Sequence, residues 1–274
     1  MINSKSIENF WTRGDIFSRV HHAMSEAGLI NKELNIEDLF PIDQYHARGI
    51  AATVDLGKRM PISKNQKIID IGCGLGGPAR YYAKEFKCFI TGIDITPSFI
   101  EIGNEFNKLT SMSDNIQLLV GNGEILDFKN ETFDGAYSQH VTMNISDRKK
   151  FFSEAFRVLK KDSFFAFTEH GLGPEGNPIF PLPWADSSEM SFLLPPETTI
   201  SILKDIGFSD IKIIGTADKY ISGYEKLIGL KSANKKPILG IHVIGGESMN
   251  ERSINSMQSI KENRTLPFEI VCKK

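Results

Sequence analysis

The segment IIDIGCGLGGPARYYAKEF, residues 68–86, constrains this chain more than any other. An apolar, β-branched run ends at Asp70, a helix is expected to start near Pro78, and Gly72, Gly74, Gly76 and Gly77 fill the turn between them. Without a Cβ, glycine backbone takes positive φ and can lie directly against a ligand. A strand, a glycine turn and a helix in this order form the phosphate- or nucleoside-binding corner of a doubly wound α/β sheet.

The rest of the chain fits that sheet. IIDIG (68–72), FITGID (89–94), IQLLVG (116–121), FDGAYS (133–138) and FFAFTEH (164–170) are short apolar runs separated by helical stretches, as expected for parallel strands buried on both faces. A helix over 197–206, DIKIIG (210–215), a helix-rich stretch and LPFEIVCK (266–273), read as a last strand, follow. Ahead of the sheet, Ile7, Phe10, Trp11, Phe17, Val20 and Met24 recur at three and four, predicting an amphipathic helix over 7–27 that stops at Gly28. A second helix is expected over 43–60, stopped by Pro61. Residues 171–196 carry six of the twelve prolines and read as a long ordered loop, a common place for function.

Charge and cysteine content limit the partners. Lys and Arg number 32 against 34 Asp and Glu, so no global positive field attracts nucleic acid or an anionic membrane. The three cysteines are too few and too scattered for a disulfide framework or a paired-cysteine metal site. No run of 18 apolar residues and no signal peptide is visible, so the expectation is a cytoplasmic protein with a small-molecule partner, a monomer or homodimer.

The glycine turn alone leaves two ligands open. Gly72, Gly74 and Gly77 match the GxGxxG spacing of dinucleotide sites, and Asp70, Gly72, Gly74 and Gly76 match the DxGxGxG spacing of S-adenosylmethionine sites. Asp94, at the end of the next strand, suits the ribose hydroxyls of either. Asp70 favours the second, because a carboxylate there would repel a pyrophosphate but suits a cofactor with an ammonium and a sulfonium. Asn122, after the third strand, has an amide that can bond the adenine edge.

On these motifs the chain resembles the class I S-adenosylmethionine-dependent methyltransferases. GNGEILDF, FDGAYS and EAFRVLKKDSFFAF follow the glycine turn in the order of the ubiquinone-biosynthesis-like branch. DQYHARG (43–49), LGGPARYYA (75–83), SQHVTMNI (138–145) and PLPWADSSEMSFLLPP (181–196) resemble the sarcosine/dimethylglycine N-methyltransferase-like group. Asn122 stands where that family usually has Asp, and KKD (160–162) replaces its Lys-Pro-Gly-Gly turn. The resemblance implies a seven-stranded, mostly parallel Rossmann-like sheet with LPFEIVCK as its antiparallel strand. It implies a helical lid over 1–60 and a cofactor-binding domain over 61–274 with a substrate loop at 171–196. It further implies S-adenosylmethionine, with S-adenosylhomocysteine as product, held by Asp70, Gly72, Gly74, Gly76, Asp94, Ile95, Asn122, Gly123 and Glu124, without a metal.

Methyl transfer is an in-line displacement, so the protein must align the acceptor, exclude water and, where needed, remove a proton. Reacting groups belong outside the carboxyl ends of the strands, which selects SQHVTMN and EHGLG. His140 is the expected general base, because an imidazole titrates near neutral pH. Glu169 and His170 are expected at the acceptor. Tyr45, Trp11 and Trp184 are aromatics of the lid and loop, and a ring face beside a methylated amine stabilises its cation by about 0.5–2 kcal/mol. The acceptor implied by the resemblance is a small molecule methylated on an amine nitrogen of a glycine-like compound. O- or C-methylation of a phenol, sugar or prenyl compound is the alternative, and a nicotinamide-dependent oxidoreductase is a remote one.

Overall fold

The strands of a computed structural model, which describes residues 4–30, 32–232 and 237–274, are β1 (Lys67–Ile71), β2 (Phe89–Asp94), β3 (Ile116–Val120), β4 (Phe133–Gln139), β5 (Leu159–Leu172), β6 (Ser209–Gly215) and β7 (Thr265–Lys273). They form one seven-stranded sheet in the order β3-β2-β1-β4-β5-β7-β6. Neighbours from β3 through β5 run parallel, and β7 lies antiparallel to both β5 and β6. The order reverses beside β1, and this switch point puts a crevice outside the carboxyl ends of β1 and β4.

Ahead of the sheet come α1 (Ser4–Trp11), α2 (Ile16–Glu26), α3 (Phe40–Asp43) and α4 (Ile50–Gly57). The crossovers are α5 (Gly77–Phe86), α6 (Pro97–Leu109), α7 (Arg148–Val158) and α8 (Pro196–Ile206), and α9 (Ala217–Ser232), α10 (Ile241–Gly245) and α11 (Met249–Lys261) separate β6 from β7. One sheet face buries Ile69, Ile71, Phe165 and Phe167 against Phe151, Phe152 and Leu203, and the other buries Ile68, Tyr137 and Ala166 against Leu56, Ala79 and Tyr82. Each such side chain contributes about 1.5–3 kcal/mol by leaving water, so alternate strand residues are apolar on both faces.

Three expectations need correction. The helix expected over 7–27 is two helices, because Gly14 takes φ +68° and the Asp15 carboxylate caps α2 by accepting the Ser18 N–H at 2.9 Å. The helix expected over 43–60 is broken where Arg48 and Gly49 take φ of 72° and 50°. The fifth strand is longer than 164–170, which carries Glu169 into its buried interior rather than to its end.

The N-terminal helices pack into the rest of the molecule. Ile16, Val20, Leu39 and Ile42 share a core with Phe99, Ile102 and Phe106 of α6 and with Val243 and Ile244 of α10. Residues 1–3 and 31 of the expected lid lie outside the described residues. A fully buried ion pair fastens α3 to α5 and the glycine turn: Arg80 Nη2 of α5 donates to Asp43 Oδ2 of α3 at 3.0 Å and to the Leu75 carbonyl of the glycine turn at 2.5 Å. Burial pushes the Asp43 carboxyl up to about 6 even against the Arg80 charge.

Candidate active site

The glycine turn is tied to β2 by the N–H groups of Gly72 and Cys73, which donate to the Ile93 carbonyl at 2.7 and 3.0 Å. Gly72 is required twice over: its φ is +89°, and a Cβ there would stand 2.1 Å from Cγ2 of Val141. At Gly74, φ is +53° and a Cβ would meet no protein atom within 4 Å. The Gly74 and Thr96 N–H groups donate to the two carboxylate oxygens of Asp94, each at 2.9 Å. Burial raises the Asp94 pKa, opposed by these backbone bonds.

These groups line a cavity of about 430 Å³, together with Ile95, Asn122, Gly123, Glu124, Ile145 and Phe151. That volume lies within the roughly 300–1,000 Å³ of small-molecule sites. Asn122 Oδ1 accepts the Glu124 N–H at 2.9 Å, which fixes the turn after β3. Of the expected cofactor residues, Gly72, Gly74, Asp94, Ile95, Asn122, Gly123 and Glu124 come together on this wall. Gly76 caps α5 and Asp70 lies beneath the turn, and neither lines the cavity. The Tyr137 hydroxyl donates to Asp70 Oδ2 at 2.7 Å, and burial pushes the Asp70 carboxyl up to about 8.

A second cavity, of about 1000 Å³, adjoins the first through Trp11, Tyr45 and His140, which line both. His140 follows β4 with φ +57°, its N–H bonded to the Thr168 carbonyl of β5 at 3.0 Å. A non-glycine residue held there stores strain of about 1–3 kcal/mol, which the surrounding contacts must offset. The His140 ring lies between those of His46 and His170, at centroid distances of 5.8 and 5.6 Å, and its Nε2 is 2.5 Å from the Tyr220 hydroxyl. Burial lowers all three imidazoles, His46 to about 4 and His170 to about 3, and the neighbouring histidines and Arg48 depress His140 further. All three are neutral near pH 7.

The remaining expected acceptor residues divide. Tyr45 lines both cavities, and Trp184 and His170 line the second, with their rings 4.7 Å apart. Glu169 reaches neither cavity: fully buried in β5, it accepts from Arg148 Nη1 at 2.5 Å, from Thr199 at 3.1 Å and from Thr142. It anchors the segment after β4 instead of meeting an acceptor. Four residues at or behind the wall were not singled out from sequence. His46 and Arg48 stand inside DQYHARG, Gln139 beside His140, and Tyr220 on α9, which showed no distinguishing pattern. Among the described residues no cluster of His, Cys, Asp or Glu could hold a metal, and no helix is long and apolar enough to cross a membrane.

Comparison with known proteins agrees with this geometry. Residues 69–167 match the model of a family described as a methyltransferase domain. The chain is 32% identical over 129 residues to a sarcosine/dimethylglycine N-methyltransferase of Aphanothece halophytica, covering 47% of this chain and 46% of that protein. It is 38% identical over 116 residues to 24-methylenesterol C-methyltransferase 3 of Arabidopsis thaliana, covering 42% and 32%. The chain spans about a third of the length of the first curated relatives it matches. A phosphoethanolamine N-methyltransferase 2 of Haemonchus contortus, solved with phosphomonomethylethanolamine and S-adenosylhomocysteine, superposes with a TM-score of 0.77 at 18% identity, covering 100% of this chain and 61% of that one. The glycine turn and strands β2, β3 and β4 thus fall inside the segment that matches a methyltransferase domain, and the fold of the whole chain is that of the Haemonchus enzyme.

Proposed function

We propose that this protein transfers a methyl group from S-adenosylmethionine to a small-molecule acceptor. The observation that carries this reading is the junction of two cavities at Trp11, Tyr45 and His140, one cavity walled by the glycine turn and Asp94, the other by aromatic and aliphatic side chains. When bound, the cofactor supplies an electrophilic methyl on a positively charged sulfur.

The residues fit such a cofactor. Gly74 leaves room where a side chain would stand, and the Asp94 oxygens, each already oriented by one backbone N–H, keep lone pairs for the ribose hydroxyls. The Asn122–Glu124 turn is positioned for adenine. Lid and loop exclude water from the junction. His140, neutral at physiological pH, takes the acceptor's proton. With Nε2 facing Tyr220, it does so through Nδ1, which requires the tautomer in which Nε2–H donates to the Tyr220 hydroxyl.

The aromatic faces of Trp11, Tyr45 and Trp184 support the amine acceptor that the resemblance implies. The size of the second cavity and its aromatic and aliphatic wall support a larger, uncharged acceptor with a hydroxyl. Calorimetry tests the common part: S-adenosylhomocysteine binds, Asp94→Ala weakens it by about 1.5–3 kcal/mol, and NADH does not bind. Binding of NADH without S-adenosylhomocysteine overturns the reading.

A further inference from the structure

We propose that the second cavity takes an uncharged, mainly apolar acceptor with an acidic hydroxyl, a phenol or enol, and that this oxygen is the atom methylated. The inference rests on the methyl-transfer reading and specifies its acceptor.

Size is the first argument. A cavity of about 1000 Å³ is at the upper end of small-molecule sites, and a glycine derivative would fill only a small part of it. Its wall near the junction is apolar or aromatic, with Trp11, Tyr45, Met143, Trp184, Leu239 and Met249 among the residues that form it. A small polar acceptor would leave most of that surface without a partner, whereas an apolar body is stabilised in proportion to the area it buries there.

Charge is the second. Three cationic side chains line the cavity, Arg48, Lys219 and Lys226, against two carboxylates, Asp55 and Asp218. Asp55 is already engaged, since Arg48 and Lys219 both donate to it. The Arg48 side chain is nearly buried, and its Nη1 has no hydrogen-bond partner, with Glu269 Oε1 3.9 Å away. These charges largely pair with one another, but the charged group acting on His140 besides the two other imidazoles is Arg48, and among the described residues no carboxylate bonds to the three rings. A protonated amine would find no counter-ion beside His140, and neither would the carbocation left by methylation of an alkene carbon. A hydroxyl acceptor arrives uncharged and needs none.

The chemistry balances without a further reactant. The acceptor O–H proton passes to His140, an oxygen lone pair forms the O–CH₃ bond, and the pair of the breaking S–CH₃ bond stays on sulfur as a neutral thioether. The histidinium then returns its proton to solvent. A phenol suits this step because a neutral imidazole base takes its proton as charge develops in the transition state.

The test uses the full chain with S-adenosylhomocysteine for binding and S-adenosylmethionine for turnover. The probes are 4-hexylphenol, hexylamine and N,N-dimethylglycine. The expected result is that 4-hexylphenol binds the S-adenosylhomocysteine complex at least about tenfold more tightly than either amine and yields its methyl ether by mass spectrometry. Tighter binding or faster turnover of hexylamine or dimethylglycine overturns the proposal, as does ring-carbon methylation or failure of 4-hexylphenol to bind. In all these outcomes S-adenosylhomocysteine still binds. Loss of that binding as well would instead sink the methyl-transfer reading. Arg48→Gln should narrow the preference for phenol over hexylamine. If that variant does not fold, Ala51→Trp, at an exposed position on α4 that lines the cavity, serves: it should weaken 4-hexylphenol by about tenfold and leave S-adenosylhomocysteine unchanged. Equal weakening of both, or of neither, counts against the cavity.

Discussion

The two halves of the site are built on different principles. The proposed cofactor wall is mostly backbone: N–H groups and glycines, with the carboxylates of Asp94 and Glu124, supplied by the consecutive ends of β1, β2 and β3. The proposed acceptor wall is mostly side chain, gathered from α1, the turn before α4, the ends of β4 and β5, the loop after β5, and α9 to α11. Backbone geometry admits few solutions, so the first half has a recognisable pattern. Side-chain walls admit many, and the same frame can serve different acceptors.

The sharpest way to break this comparison is at Gly72. An alanine there must adopt φ +89° and push against Val141, and the two costs together amount to about 2–6 kcal/mol. Thermal unfolding and calorimetry should show lost stability and lost S-adenosylhomocysteine binding together. Next is the bolt between the halves. Asp43→Ala leaves Arg80 buried without its carboxylate and should cost about 3–5 kcal/mol in chemical denaturation, with Arg80→Met added on top recovering part of the loss. An additive double variant would show that the pair is not coupled.

His140→Ala separates the halves in function. It should lower kcat by about 10²- to 10⁴-fold while leaving S-adenosylhomocysteine affinity nearly unchanged. Matching losses of affinity and rate would make the residue structural. The smallest effect is a difference in pH response. Asp70 titrates near 8 in the folded protein, so between about pH 4 and 8 the folded chain holds a proton the unfolded chain has released, and stability falls as pH rises through that window. His46 and His170 titrate near 4 and 3, so below about 6.5 the unfolded chain holds the extra protons and stability falls as pH drops. Each group contributes a slope of at most about 1.4 kcal/mol per pH unit. Melting curves of Asp70→Asn should lose the alkaline slope, and those of His170→Asn part of the acid slope.

Much of this was legible from residue order. The first four strands and the last were located within a residue or two, the fifth begins at Leu159 and not at 164, DIKIIG proved to be β6, and the antiparallel place of LPFEIVCK came from the resemblance. The breaks at Gly14-Asp15 and Arg48-Gly49 carry local signals, a glycine before a capping aspartate and a glycine in a turn, that the apolar spacing masked. Glu169 misled because FFAFTEH gives no sign that the strand runs on to Leu172, which converts an apparent strand end into a buried position that Arg148, Thr142 and Thr199 make tolerable. Tyr220 lies 80 residues from His140, and Arg48 is 221 residues from Glu269. No periodicity reports pairs so far apart.

The antiparallel seat of β7 between β5 and β6 has a consequence for how the molecule comes together. Glu269 of β7 accepts from Arg59 Nε at 2.6 Å across 210 residues, and Arg48 stands on the same carboxylate. Closing a loop of that length is slow, because its entropy is spent before its contacts form. The glycine turn and its βαβ neighbours need only short-range contacts. During synthesis, then, the cofactor corner can assemble while the acceptor wall still awaits its final strand, and pulse-labelled hydrogen exchange should find β1 and β2 protected before the turn that carries His46 and Arg48.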